Sequence, residues 1–394
     1  MATRPRVSVA VTIDYEALRR EPDLEAHDLI AYDATDQLLV RRAAELRDNF
    51  SGEKPGDTVV IGERHGAITL SLVLPQEQGG HGLTGVRVFQ DTLLNERALM
   101  CNAARLGLEG EFPFTREELG RDLVKGAKTV LLQLPKSLDE LAEIAYWVAT
   151  NADPEATLIA GGRVKHMTLA QNEVLSRFFT TVQAERAERK SRLLIATGPV
   201  DDPADPPFPV TGVDADLPFA LHAYGATFGG PTLDHGSRLL LRHLPEIAPE
   251  ATRIVDLGCG NGSLAVAAAL ARPTAQVHAT DQSWAAVNAT NATARWAGVS
   301  DRVTVTRADG AEAVGDGWAE LMLVNPPFHA GQVVSEEIAR TLIRGAVRAL
   351  AEGATILVVY NSHLGHRAVI EREIGPTQQV ARDRSFTVVR ATKR

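Results

Sequence analysis

The chain has 394 residues, 44% hydrophobic and 23% charged, a composition that excludes a fibrous or wholly disordered polypeptide and is long enough to form two domain cores. A formal net charge of −9 excludes a binder of nucleic acid that is basic overall, so any RNA-facing surface must be local. Cys101 and Cys259 are the only cysteines, too few for a disulfide framework or a four-thiolate zinc site, and no metal is expected.

In chain order, the first strand-and-turn signal is TVVIGERHGAI (58–68), followed by VRVFQD (86–91), KTVLLQLPKS (128–137), ATLIAGGRVKHM (156–167) and RLLIAT (192–197). The 20 residues from Pro199 to Pro218 then hold six prolines and five aspartates, a composition that resists helix and sheet alike and marks a junction. Beyond it the series returns at an offset of roughly 190–200 residues, as RIVDLGCGNGSL (253–264), QVHATD (276–281), ELMLVNPPFH (320–329), ATILVVYNSHLG (354–365) and FTVVRAT (386–392). Apolar runs of about five residues alternating with helical patterns predict parallel strands joined by crossover helices. The predicted fold is α/β, two tandem doubly wound Rossmann-like domains at 1–200 and 221–394 around a junction at 201–220. Residues 1–20 lack the apolar core of a signal peptide and no run of 18 apolar residues occurs, so a cytoplasmic protein without a membrane partner is expected.

In the second series VDLGCGNGSLAVAAALA (255–271) reads as a buried strand, a turn with Gly258, Gly260 and Gly262, and an Ala-rich helix. Glycine is needed where backbone turns sharply and approaches a ligand closely. A nicotinamide dinucleotide fingerprint would want glycine at position 263, which is Ser263 here, and that weighs against an oxidoreductase. Asp256 ahead of such a turn resembles the class I methyltransferases. The resemblance implies S-adenosylmethionine as cofactor, with this carboxylate at its methionine end. Asp281 ends the next strand 25 residues later, where an acid accepts hydrogen bonds from both ribose hydroxyls, and Gln282 and Trp284 follow at the adenine edge. Asp309, beyond a strand at 303–307, would by the same resemblance accept from the adenine amino group. One Asp at a strand end is commonly a helix cap, whereas three on successive strands converge on one crevice.

Asn325-Pro326-Pro327-Phe328 follows the strand LMLV and resembles the Asp/Asn/Ser-Pro-Pro-aromatic signature of amino methyltransferases. An exocyclic amine is a poor nucleophile because its lone pair is delocalised into the ring. If the Asn325 side-chain oxygen and the Pro326 carbonyl accept its two N–H groups, the nitrogen is held pyramidal with its lone pair directed at a methyl donor. Paired prolines hold the loop extended and remove competing donors, and Phe328 offers a stacking face worth about 1–3 kcal/mol to a flipped base. No strong general base is required, since the amine proton can leave to water. His329 is assigned to packing, with proton shuttling as the alternative.

The matching turn of the first series keeps Gly62 but has no strand-end acid, and its tetrapeptide position reads Gln133-Leu134-Pro135-Lys136. That copy is expected neither to bind cofactor nor to catalyse, leaving substrate binding or stabilisation of its partner domain. A degenerate first copy before an active second one resembles the tandem-domain ribosomal RNA guanine-N2 methyltransferases over nearly the whole chain. The matching stretches include LIAYDATDQLLV (29–40), VLLQLPKSLDEL (130–141), TLIAGGRVKHM (157–167), FGGPTLDHGSRLLLRHLP (228–245), DLGCGNG (256–262), NPPFH (325–329) and NSHL (361–364). The N-terminal stretches are more similar to the large-subunit enzymes, while ARTLIRGAVRAL (339–350) is similar to the small-subunit relatives. The resemblance implies methylation of the N2 amine of a guanine in ribosomal RNA, free or in a ribosomal subunit, and adds Phe228, Asp234 and Gly236 to the cofactor pocket, which Asn325 is also expected to border.

Basic residues for RNA are sought locally. Arg340, Arg344 and Arg348 recur every four residues on a predicted helix, and residues 362–394 hold seven Lys/Arg against three Asp/Glu. The arginine row is equally a solvated helix face or an RNA track, with Arg163 and Lys165 as further phosphate candidates. Two other function classes compete: a protein glutamine N-methyltransferase, which would share the tetrapeptide but lack a degenerate first copy, and an RNA-binding assembly factor with a relic methyltransferase domain, which the intact glycine loop opposes. The sequence is silent on oligomeric state and compatible with a monomer.

Overall fold

The structure, a computed structural model, describes residues 12–26, 29–108, 110–200, 207–325, 342–364 and 366–394. The chain divides into two compact units, one of Met1–Gln90 with Leu94–Pro207 and one of Asp91–Leu93 with Phe208–Arg394.

The first unit contains β1 (Thr58–Ile61), β2 (Val86–Phe89), β3 (Phe114–Arg116), β4 (Thr129–Gln133), β5 (Thr157–Arg163), β6 (Phe179–Ala184) and β7 (Ser191–Pro199). In the second lie β8 (Val210–Gly212), β9 (Leu221–Ala223), β10 (Arg253–Leu257), β11 (Gln276–Asp281), β12 (Val303–Arg307), β13 (Ala319–Val324), β14 (Leu350–Asn361), β15 (Thr377–Arg382) and β16 (Phe386–Thr392). The first sheet runs β3-β2-β1-β4-β5-β7-β6 and the second β12-β11-β10-β13-β14-β16-β15, the same permutation twice. Central strands such as TVLLQ and RIVDL are buried almost throughout, as parallel strands covered on both faces must be. In the second unit Ile254, Leu321, Leu323 and Leu357 pack on one face, and Val255, Met322, Val324 and Ile356 on the other.

The sheets depart from the sequence expectation at one edge. β5–β7, β6–β7, β14–β16 and β15–β16 pair antiparallel, where crossover helices predict parallel strands. For β15–β16 local turn chemistry accounts for this. Asp383 Oδ1 accepts from the N–H groups of Ser385 (2.7 Å) and Phe386 (2.6 Å), folding β15 back on β16 in a short hairpin. The Pro/Asp-rich stretch also contains sheet: β8 pairs antiparallel with β9, at positions between the prolines where ladder donors remain.

Strand order reverses between β10 and β13, and in open α/β sheets ligands bind outside the carboxyl ends of the strands at such a switch point. This brings the loop after Leu257 beside Asn325, although the two are far apart in sequence.

Candidate active site

Leu257 leads into the glycine turn. Gly258 and Gly260 have φ of +81° and +55°, and a Cβ added to either would meet nothing within 4 Å. Their backbone thus borders open space. Gly262 (φ +80°) serves another purpose, since a Cβ there would lie 3.0 Å from Thr290 Cα; it allows the loop to pack against the helix Trp284–Trp296. The helix Ser263–Ala271 starts immediately after, with its positive dipole end toward this crevice and its first N–H groups taken by the chain itself, Ser263 N by Asn261 Oδ1 at 3.3 Å and Ala265 N by Asp256 Oδ2.

Asp256 is fully buried beneath that helix. Its Oδ2 accepts from Ala265 N at 2.9 Å, and its Oδ1 has no hydrogen-bond partner among the described residues. Burial, opposed by the Ala265 hydrogen bond and reinforced by Asp281, pushes this carboxyl up to about 7. Asp281 lies across the turn, with Oδ2 accepting from Gly260 N (3.1 Å) and Oδ1 from Ser283 N (3.0 Å). Burial raises its pKa too. A carboxylate has about four lone-pair sites, so both oxygens retain acceptor capacity for a pair of ribose hydroxyls. An orphaned buried carboxylate oxygen, a glycine cradle bordering open space and an acid with spare acceptors together fit S-adenosylmethionine.

Asn325, the residue after β13, is held by its amide nitrogen. Nδ2 donates to Asp234 Oδ2 at 2.8 Å and to Ser237 Oγ at 2.9 Å. Both N–H groups are therefore committed, and Oδ1 is left as the acceptor. Asp234, placed in the cofactor pocket by resemblance, also caps the helix His235–His243 by accepting from Ser237 N at 3.0 Å. A Cβ on Gly236 would lie 3.2 Å from Asn325 Oδ1, so the missing side chain keeps that oxygen uncrowded.

The remaining candidates divide. Phe228 is 56% exposed on a loop fastened by Asn261, whose Nδ2 donates to Gly230 O (3.0 Å) and Thr232 O (2.9 Å). Gln282 offers its carbonyl to Arg307 Nε at 3.2 Å, with its own Oε1 buried and unpartnered among the described residues. Asp309 N donates to Glu312 Oε1 at 2.9 Å. Trp284 does not form an open edge. It is 8% exposed and packs edge-on against Tyr224 with ring centroids 5.5 Å apart. Arg344 and Arg348 lie on a helix at 342–349. Arg344 pairs with Glu373 at 3.8 Å, and Arg348 binds Asp316 as well as Ala311 O at 2.6 Å, so Arg348 serves the fold before any RNA. Arg163 donates to Arg189 O and Ser191 Oγ, both at 3.1 Å, while Lys165 sits in an exposed single turn after β5. Pro326, Pro327, Phe328, His329 and Arg340 lie outside the described residues.

Comparison with known proteins places this geometry in a family. A model described as "RLMG N-terminal domain" matches residues 9–200, and one described as "Methyltransferase small domain" matches residues 219–390. "Ribosomal RNA large subunit methyltransferase G" of Pseudomonas fluorescens is 33% identical over 95% of this chain and 97% of its own, and the protein of that name from Streptomyces avermitilis is 32% identical over 96% and 97%. The chain belongs to the ribosomal RNA large subunit methyltransferase G family. Its fold is shared with the T. thermophilus 16S rRNA N2 G1207 methyltransferase (RsmC), solved in complex with AdoMet and guanosine, at a TM-score of 0.70 and 18% identity over 92% of this chain and 93% of that one.

The register of the two sheets shows what this family member has lost in its first copy. Val60–Leu131 and Ile61–Leu132 correspond to Asp256–Leu323 and Leu257–Val324, which sets Val60 against Asp256 and Gln133 against Asn325. Gly62 (φ +76°) and Gly66 (φ +92°) then match Gly258 and Gly262, so two turn glycines survive where sequence inspection found one. Between them, Glu63 is fully buried, and its carboxylate accepts from Ile68 N (2.9 Å), Thr69 N (3.1 Å) and the Thr69 hydroxyl. The N-terminus of the helix Ala67–Val73 is thus occupied by the chain's own carboxylate. Gln90, opposite Asp281 in this register, donates to Glu63 O and Asn95 O at 3.1 Å and ties the loop down. Glu63 and Ser237 were both missed in the sequence: Glu63 reads as an ordinary charged turn residue, and the one signal for Ser237 is the helix-cap spacing Asp234-x-x-Ser237.

Proposed function

We propose that this chain transfers the methyl group of S-adenosylmethionine to the exocyclic N2 amine of a guanine in ribosomal RNA, through its C-terminal unit. The observation that carries this function is the orientation of Asn325, whose amide oxygen is the group left to accept an N–H at the switch point beside the glycine turn. When bound, the cofactor supplies an electrophilic methyl carbon on a sulfonium. Asn325 Oδ1 accepts one proton of the guanine amine and draws the nitrogen lone pair out of conjugation with the ring. Pro326 O as the second acceptor and Phe328 as the stacking face complete the arrangement on sequence grounds. The extra proton departs to water.

The N-terminal unit has Val60 where the second has Asp256 and Gln133 where it has Asn325, which supports a role in substrate binding or stabilisation rather than in transfer. A glutamine methyltransferase would share the tetrapeptide, but relatives matched along both units favour RNA. Among the described residues no helix is long and apolar enough to cross a membrane, and no group of three or more His, Cys, Asp or Glu could hold a metal ion. We place the protein in the cytoplasm, with ribosomal RNA or a ribosomal subunit as partner.

Labelled-methyl transfer to naked ribosomal RNA and to each isolated subunit, followed by nucleoside mapping, tests this directly. The expected product is N2-methylguanosine, and label confined to protein or to another nucleoside would overturn the assignment.

If Asp256 receives the cofactor's amino group, binding must be linked to its ionisation. With the free carboxyl at about 7, affinity for S-adenosylmethionine should rise with pH between about 6 and 7.5, below the range where the ligand's α-amine loses its proton, near 7.7–8.0. Calorimetry across that window should register proton release, and Asp256→Asn should flatten the profile. A flat wild-type profile would remove Asp256 from the binding set.

A further inference from the structure

The amide of Asn325 can be rotated by half a turn without changing its shape, and only one of the two orientations can activate an amine. With Oδ1 toward the substrate it accepts an N–H. With Nδ2 there, donor would face donor and the lone pair would stay in the ring. We propose that Asp234 and Ser237 are a positioning pair that locks Asn325 in its accepting orientation, an inference that rests on the amine-methylating function proposed above and gives Asp234 a task other than holding cofactor.

Asp234 Oδ2 and Ser237 Oγ take the two Nδ2 protons at 2.8 and 2.9 Å. The flipped amide would instead bring Asn325 Oδ1 within that distance of a carboxylate oxygen, a contact between two acceptors. Asp234 cannot turn aside to relieve it, because the same Oδ2 caps the helix by accepting from Ser237 N at 3.0 Å. Ser237 is 5% exposed, so water does not readily replace its hydroxyl. The pair is therefore a selector for one amide orientation, built on a helix N-terminus and aimed at the residue that follows β13.

The first copy contains a related tie, made by one residue instead of a pair. Gln133, in register with Asn325, donates its amide N–H to Asp36, and Asp36 Oδ2 accepts from Asp33 N at 2.7 Å within the capping box of the helix Ala34–Leu46. An amide at the carboxyl end of β4 or β13 is thus tied to the first turn of a helix in both units. In the second unit the shorter Asn side chain and Gly236 leave the oxygen uncrowded.

The test uses the full-length protein with Asp234→Ala, Ser237→Ala, the double variant and Asp234→Asn. Loss of the pair should lower kcat roughly 10- to 100-fold while KM for S-adenosylmethionine stays within about threefold. Asp234→Asn, whose amide oxygen can still accept both donors, should recover most of the rate. In an Asn325→Ala background the Asp234→Ala effect should disappear, because coupled residues are not additive. A purely structural role would instead lower the melting temperature and move kcat and KM together without rescue. A readout independent of turnover is hydrogen exchange of the Asn325 side-chain NH2 by NMR, expected to be slow in the wild type and fast in the double variant. Undiminished kcat in the double variant, or fast exchange in the wild type, would overturn the proposal. Absence of any wild-type transfer to RNA with slow exchange intact would overturn the substrate assignment and leave the brace standing.

Discussion

Asn325→Ala is expected to reduce methyl transfer roughly 10²- to 10³-fold, the scale observed when one preorganised polar group at a reacting centre is removed. The affinity for S-adenosylmethionine should change by no more than about threefold, because ground-state binding of the cofactor and activation of the amine draw on different groups. The Asn325 oxygen is the acceptor lost. Asp234 Oδ2 keeps the Ser237 N–H that caps the helix, so collapse of the pocket is not anticipated. Single-turnover transfer and calorimetric binding of S-adenosylmethionine separate the two quantities. An equal loss in both would show that Asn325 holds cofactor and does not activate the nucleophile.

Asp281→Ala should show the opposite split. Hydrogen bonds to a charged group contribute roughly 1.5–3 kcal/mol each, so if Asp281 accepts from two ribose hydroxyls, as its strand-end position implies, deleting it should weaken S-adenosylmethionine binding at least about a hundredfold. At saturating cofactor much of the transfer rate should return. Asp281 also receives Gly260 N and Ser283 N, so part of the loss comes from a looser glycine turn. A melting curve of the ligand-free variant measures that part. Should binding be unchanged while kcat falls, Asp281 would belong to the chemistry and not to the cofactor.

The two domains and their order are legible in the sequence because the central strands are continuous apolar runs ending in turn glycines and acids. What escaped were the edges. β6 and β15 are polar and largely exposed, carry no apolar run, and turn back through short hairpins whose signal is a single residue such as Asp383. Within the site, Asn325 is legible because its neighbours Pro326, Pro327 and Phe328 follow a recognisable chemical pattern. Its bond to Asp234 is not, since 91 residues separate the two and the only local sign is a helix cap. The burial of Trp284 is illegible for a related reason. A helix-starting aromatic after a strand-end acid reads as a ligand wall, yet its environment is set by Tyr224, 60 residues earlier in the chain.

Each copy lodges a carboxylate of its own at the start of the helix after the turn: Glu63 receives Ile68 N and Thr69 N in the first, and Asp256 receives Ala265 N in the second. Whatever binds only a folded domain stabilises it by an amount that grows with the logarithm of its supply once the site is largely filled. Both oxygens of Glu63 are engaged, whereas Asp256 Oδ1 has no partner among the described residues, so the second copy is the one whose stability should rise with the supply of methyl donor.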